Sequence, residues 1–165
     1  MARIVPVQKL CVVPRDDDYF FGVLQSRAHE LWALSLGSTL EDRPSYNADT
    51  TFSTFPFPWT PGKEPRNDLR ADAIVSAARE LTVKRDGWLN PPDAKPEILA
   101  KRTLTNLYNE RPTWLADAHR ALDKAVFAAY GWPATLTDAE IVEHLLTLNH
   151  QRAAQSKAAP TGKSA

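Results

Sequence analysis

Apolar residues recur along this chain in two rhythms, and each predicts a different kind of element. Ile4 to Val13 is a nearly unbroken apolar, β-branched stretch that reads as a single short strand, with Pro6 suited to an edge position. Pro14 to Asp18 then forms a turn whose acidic end suits a helix N-terminus. From Tyr19 to Leu36 the residues Phe20, Leu24, Ala28, Leu31 and Leu34 return at three- and four-residue steps, which predicts one amphipathic helix stopped by Gly37. A lone strand has no stability of its own, so the sheet it joins is expected outside the chain or across an oligomer.

Residues 38–66 lose both rhythms and are expected to be irregular. Between Pro44 and Gly62 only Asp49 is charged, while Tyr46, Phe52, Phe55, Phe57 and Trp59 alternate with threonines and prolines. A long loop this rich in aromatics is expected to pack over another surface, with Phe52, Phe55, Phe57 and Trp59 buried and not stacked on bases. The helical rhythm resumes from about Asp68 to Lys84 with Leu69, Ile74, Ala77, Ala78 and Leu81 on one side, before Asp86-Gly87 and Asn90-Pro91-Pro92 interrupt it. Pro112 opens a helix carrying Leu115, Ala118, Leu122, Val126 and Ala129, which Gly131-Trp132-Pro133 ends. Thr137 and Glu140 have capping-box spacing ahead of a last helix reaching about Ala153, and the tail from Gln155 is expected to be disordered.

Composition narrows the class. The chain has 165 residues, 43% of them apolar, enough for a core, yet no run approaches the roughly 20 apolar residues that span a bilayer. The opening residues lack the parts of a secretory signal, and a lone Cys11 fits a reducing compartment, so the expected location is cytoplasmic. Twenty basic residues balance twenty acidic ones. An autonomous DNA-binding domain draws its affinity from an excess of phosphate contacts, so any DNA contact here needs help from another source.

The candidate chemistry is sparse. His29-Glu30 begins a zinc-protease motif, but position 33 is Ala33, so no second imidazole lies one turn on. His119, His144 and His150 lack ligand spacing, and no metal site is expected. Asn90-Pro91-Pro92-Asp93 has the outline of an amino-methyltransferase motif, but Asp93 stands where an aromatic must stack on the target base. No glycine-rich turn follows a strand to cradle a cofactor. The chain is expected to hold no catalytic residue. Glu41 and Arg43, between Gly37 and Tyr46, are types that read cytosine and guanine edges in a major groove, although a solvated loop would also carry them.

Two stretches carry a wider resemblance. Asp17 through Trp32, with Tyr19-Phe20-Phe21-Gly22-Val23-Leu24, and Tyr46 through Trp59, with Thr50-Thr51-Phe52-Ser53-Thr54-Phe55-Pro56-Phe57-Pro58, resemble the end of the target-recognition domain in large bacterial DNA adenine methyltransferases. These are the Mme-like fused restriction-modification enzymes of types IIG and IIL. Arg102 through Pro112 and Tyr130-Gly131-Trp132-Pro133 resemble the C-terminal helical region of the same family. The resemblance covers residues 4 to 153 and implies a mainly α chain belonging to a larger multidomain α/β enzyme. It implies a recognition-domain portion over 1–62, a helical domain over 63–153 and a tail over 154–165.

In function it implies DNA target recognition for a site-specific adenine methyltransferase that uses S-adenosylmethionine. The family's cofactor and catalytic motifs lie upstream of the matching region, so the implied partners are DNA and an upstream methyltransferase domain or subunit. No membrane is implied. Glu41, Arg43 and Ser45 fall in the loop that supplies base-reading side chains in such enzymes. The alternative is a free-standing helical module that binds a protein through its aromatic loop.

Overall fold

The computed structural model describes residues 14–40 and 43–158, with backbone alone at 38–40 and 43–45. Seven helices and one short hairpin make up the described elements. Helices α1 (Asp18–Leu24) and α2 (Arg27–Leu36) lead into strands β1 (Ser38–Leu40) and β2 (Arg43–Ser45) and a π-helical turn (Ala48–Phe52). Helices α3 (Leu69–Leu89), α4 (Pro96–Leu99), α5 (Leu104–Glu110), α6 (Thr113–Tyr130) and α7 (Asp138–Ala158) follow. The predicted strand Ile4–Val13 lies outside the described residues. The mainly helical expectation holds.

Local chemistry explains most helix ends. Asp17 accepts the Phe20 N–H at 2.8 Å to start α1, Asp68 accepts that of Arg70 at 2.8 Å to start α3, and Thr103 accepts that of Asn106 at 3.1 Å to start α5. The expected capping box forms at α7, where Thr137 N–H donates to Glu140 at 2.7 Å and Glu140 N–H donates to Thr137 Oγ1 at 3.4 Å. Gly131 ends α6 in the left-handed conformation, φ 77°, that a glycine adopts without a Cβ penalty.

Several elements depart from expectation. The single helix expected over 19–36 is two helices, broken at Gln25-Ser26. The Ser26 hydroxyl donates to Val23 O at 2.7 Å, and the backbone of Ser26 turns extended. Residues 38–40 and 43–45, expected to be irregular, form two antiparallel strands that pair Ser38 with Ser45, Thr39 with Pro44 and Leu40 with Arg43. Pro44 is tolerated because a two-stranded ribbon is all edge. Helix α3 runs through Gly87, whose surroundings are open, and stops only at Asn90, the residue before Pro91-Pro92. Leu69, expected on the inner side of α3, is 83% exposed. Helix α7 continues past Ala153 to Ala158, since Gln-Arg-Ala-Ala-Gln-Ser-Lys-Ala is mostly good helix formers.

One core joins these elements. Phe20, Val23 and Trp32 from α1 and α2, Ile74 and Leu81 from α3, Leu115 and Leu122 from α6, and Ile141 and Leu145 from α7 are all buried in one cluster. Helix α3 packs along α6, α1 lies across both, and α2 lies against α7. The crossing at α1 is close because of Gly22. A Cβ there would stand 2.9 Å from Ile74 Cγ2 and 3.0 Å from Ala78 Cβ.

The aromatic loop packs as expected. Phe55 and Phe57 are buried, and Phe52 and Trp59 lie partly buried against the same core. Phe57 stacks on Phe20 with ring centroids 5.4 Å apart. Helix α7 holds the loop backbone: Arg152 donates to Phe57 O at 2.6 Å and to Pro58 O at 3.2 Å, and Asn149 donates to Thr54 O.

Candidate functional site

The hairpin is fastened on its exit side by side chains from α2. Tyr46 directly follows β2, and its hydroxyl donates to Nε2 of His29 at 3.0 Å. The other ring nitrogen, Nδ1, donates to Leu24 O at 3.0 Å, which makes Nε2 the acceptor of a neutral ring. Phe55 meets this ring edge-on with centroids 4.9 Å apart. Burial pushes the His29 pKa down to about 4, so the ring stays uncharged at neutral pH. His29 is therefore a latch inside the fold, while its neighbour Glu30 is exposed and takes an ion pair from Arg27 at 2.8 Å.

The next residues continue the fastening. Asn47 Oδ1 accepts the N–H groups of Asp49 at 2.8 Å and Thr50 at 3.3 Å, which caps the π-helical turn. A hydrogen bond from Ser53 N–H to Ala48 O at 2.9 Å closes that turn. Trp32 reaches across from α2 and donates its indole N–H to Thr51 O at 3.1 Å. The hairpin thus leaves a rigid helix at Gly37 and returns into a turn pinned to that same helix.

Of the residues expected to read bases, Arg43 and Ser45 occupy β2, opposite Leu40 and Ser38 in the register, while Glu41 lies outside the described residues. The backbone thus brings two of the three onto one short strand next to Tyr46.

A cavity of about 650 Å³ with a mixed lining adjoins the hairpin exit, walled among others by Gln25, His29, Tyr46, Tyr108, Arg111 and His119. Tyr108 and His119 share a hydrogen bond of 2.9 Å, and Arg85 reaches both Gln25 at 3.1 Å and Tyr108 at 3.5 Å. The His119 pKa is lowered first by burial and then by the charges of Arg85 and Arg111. Deeper in, Asp123 accepts the Arg27 backbone N–H at 2.7 Å, and burial raises its pKa to about 6. Sequence reasoning missed this cavity because its walls come from α2, α5 and α6 together, and α5 had no periodic signal of its own.

Among the described residues no cluster of three His, Cys, Asp or Glu side chains could hold a metal ion. No helix among them is long and apolar enough to cross a membrane. A cradle for S-adenosylmethionine would need a glycine-rich turn from a strand into a helix. Of the described glycines, Gly22 and Gly87 lie inside helices, Gly37 and Gly131 close them, and Gly62 lies in a turn outside any strand or helix. None leads from a strand into a helix, so the described residues do not fit that cofactor.

The described residues form a helical body that carries a short antiparallel ribbon beside a buried aromatic strap. Residues 1–59 match the family model described as the MmeI target recognition domain, and residues 68–156 match that of the MmeI C-terminal domain. The chain belongs to the MmeI family. It is similar to the solved structure of the type IIL restriction-modification enzyme MmeI in complex with DNA. That likeness has a TM-score of 0.64 at 26% identity and covers 86% of this chain and 17% of that one. DNA methyltransferase A of Bacillus subtilis (strain 168) is 31% identical over 137 residues, which are 79% of this chain and 13% of the relative. The chain therefore spans a small part of the length of the relatives it matches.

Proposed function

We propose that this chain supplies site-specific DNA recognition to a restriction-modification adenine methyltransferase. The catalytic portion and its S-adenosylmethionine would lie in an upstream domain or subunit, and methyl transfer to adenine N6 would occur there. In this reading residues 1–62 are recognition-domain structure and residues 63 to the end of α7 at Ala158 a C-terminal helical domain, all working in the cytoplasm. The carrying observation is the hairpin at 38–45, fastened to α2 through Tyr46 and His29, within the segment that matches the target-recognition model. A base-reading strand must be held still, because a bidentate contact discriminates by about 1–3 kcal/mol only when its geometry is kept.

Glu41, Arg43 and Ser45 are the proposed readers, with arginine donating to guanine and glutamate accepting from cytosine. The test is the exchange Glu41→Lys with Arg43→Asp, in the presence of the upstream methyltransferase and with sequencing of methylated sites. The expected result is a changed base preference at one position with folding intact. Identical sites at identical relative rates would overturn the assignment of these residues, and a uniform loss would move Arg43 to a phosphate.

The zero net charge favours a second reading, a helical module that binds a protein and no DNA. Comparing the upstream methyltransferase with and without this chain separates the two, since a module with no DNA role leaves the salt-dependent affinity for duplex DNA unchanged.

A further inference from the structure

Arg111 sits where a side chain is least at home. It ends α5 with φ 43° and ψ 60°, the left-handed conformation that helix ends normally give to glycine. Its N–H is committed to Leu107 O at 2.9 Å, and Pro112 follows at once, so the backbone has little room to relax. A side chain kept in a strained position at a cavity points to a use for that side chain.

The surroundings define the use. Each of the other arginines whose side chain is described, except Arg66, engages a carboxylate, a carbonyl or an aromatic ring. Arg111 has neither an ion pair nor a hydrogen-bonded partner for its guanidinium among the described residues. Arg85 stands nearby and shares the Tyr108 hydroxyl, and both arginines act on the neutral His119. The acids that face this cavity are occupied: Glu30 by the Arg27 guanidinium and Asp123 by the Arg27 backbone N–H. The cavity lies against Tyr46, one residue beyond β2.

We propose that Arg111, supported by Arg85 and the Tyr108 hydroxyl, anchors one backbone phosphate of DNA beside the recognition hairpin. The ligand class is a phosphodiester of duplex DNA, held without regard to base. A guanidinium suits it through paired N–H donors matched to phosphate oxygens. Such an anchor fixes the register in which Arg43 and Ser45 would meet the bases. The inference rests on the reading of the hairpin as DNA-facing.

The experiment measures binding of the chain, assembled with the upstream methyltransferase, to a mixed-sequence DNA duplex across a salt series, beside thermal melting of the chain itself. Arg111→Gly should melt at the same or a higher temperature, because glycine accepts the left-handed backbone, yet bind about fivefold more weakly at every sequence. The slope of log affinity against log salt should fall by about one. Arg111→Lys should retain the slope. Unchanged affinity and slope in Arg111→Gly overturn the anchor alone, whereas loss of stability together with binding in Arg111→Gly would make the role structural. An upstream methyltransferase whose DNA affinity and salt slope are the same with and without the folded, unmodified chain overturns both the anchor and the reading beneath it.

Discussion

Asp123 accepts the backbone N–H of Arg27 at 2.7 Å, so α2 is capped from α6 by a residue 96 positions away and not by its own Ser26. The Ser26 hydroxyl is turned to Val23 O, which leaves the first turn of α2 to be satisfied from outside. Asp123→Ala is expected to destabilise the fold by about 0.5–2 kcal/mol, the range for a lost N-cap. Asp123→Asn, which keeps an acceptor oxygen without the buried charge, should match or exceed the parent at pH 7. Urea unfolding of both variants checks this, and equal losses would mean the cap contributes nothing.

Acid should act on this fold through two opposed groups. The pKa of His29 is depressed to about 4 from 6.5, so between those values the unfolded chain binds the extra proton. Its contribution is complete above about pH 6.5 and is lost as pH falls toward 4, about 3 kcal/mol in all. Asp123 is raised to about 6 from 3.8, so the native state binds the extra proton there and stability is lost as pH rises through that window. Solvent screens the half-buried Asp123 more, leaving about 1–2 kcal/mol. The parent should therefore lose modest stability between pH 6.5 and 4, and Asp123→Asn should lose more. A flatter profile in Asp123→Asn would contradict the opposition.

Gly22 is the tightest point between α1 and its neighbours. Gly22→Ala would gain helix propensity but press a methyl against Ile74, Ala78 and Leu122. The net expectation is a loss of about 1–3 kcal/mol, as overpacked cores show. A denaturation midpoint at or above that of the parent would show that the helices part easily here.

Thr51 is fully buried, and its hydroxyl has no hydrogen-bonding partner among the described residues, although its carbonyl accepts from Trp32. Thr51→Val keeps the shape and removes the unmet hydroxyl. It should stabilise by about 1 kcal/mol, because a buried unpaired polar group costs that much or more. The check is a raised urea midpoint with an unchanged slope.

The parts of the fold that were legible in the sequence are those whose cause is local. Helix α6, with Gly131 behind it, and the Thr137-Glu140 start of α7 follow from residues within one turn of each boundary. The burial of Phe55 and Phe57 was legible because uncharged aromatic stretches have few alternatives to packing. The break at Gln25-Ser26 was not, since Phe20, Leu24, Ala28 and Leu31 keep helical spacing across it and the cap comes from α6. The hairpin was hidden by Pro44 and by strands of three residues, too short to show alternation. His29 could be dismissed as a metal ligand from sequence alone, but its tie to Tyr46 needed the fold. Arg111 was invisible because nothing in a sequence announces a positive φ at an arginine.

The single core carries a consequence for how such chains can be recombined over time. Phe20, Val23 and Trp32 come from the segment matched by one family model, while Ile74, Leu122 and Leu145 come from the other, and they bury one another. The strap from Thr54 to Pro58 is likewise held by Asn149 and Arg152 from the far end of the chain. A recombination junction in the linker between the two segments would bring together two half-cores with separate histories and misfit their interlocking side chains. Point changes on the hairpin, by contrast, leave that shared interior untouched, so under the proposed recognition role they are the easier route to altered base preference.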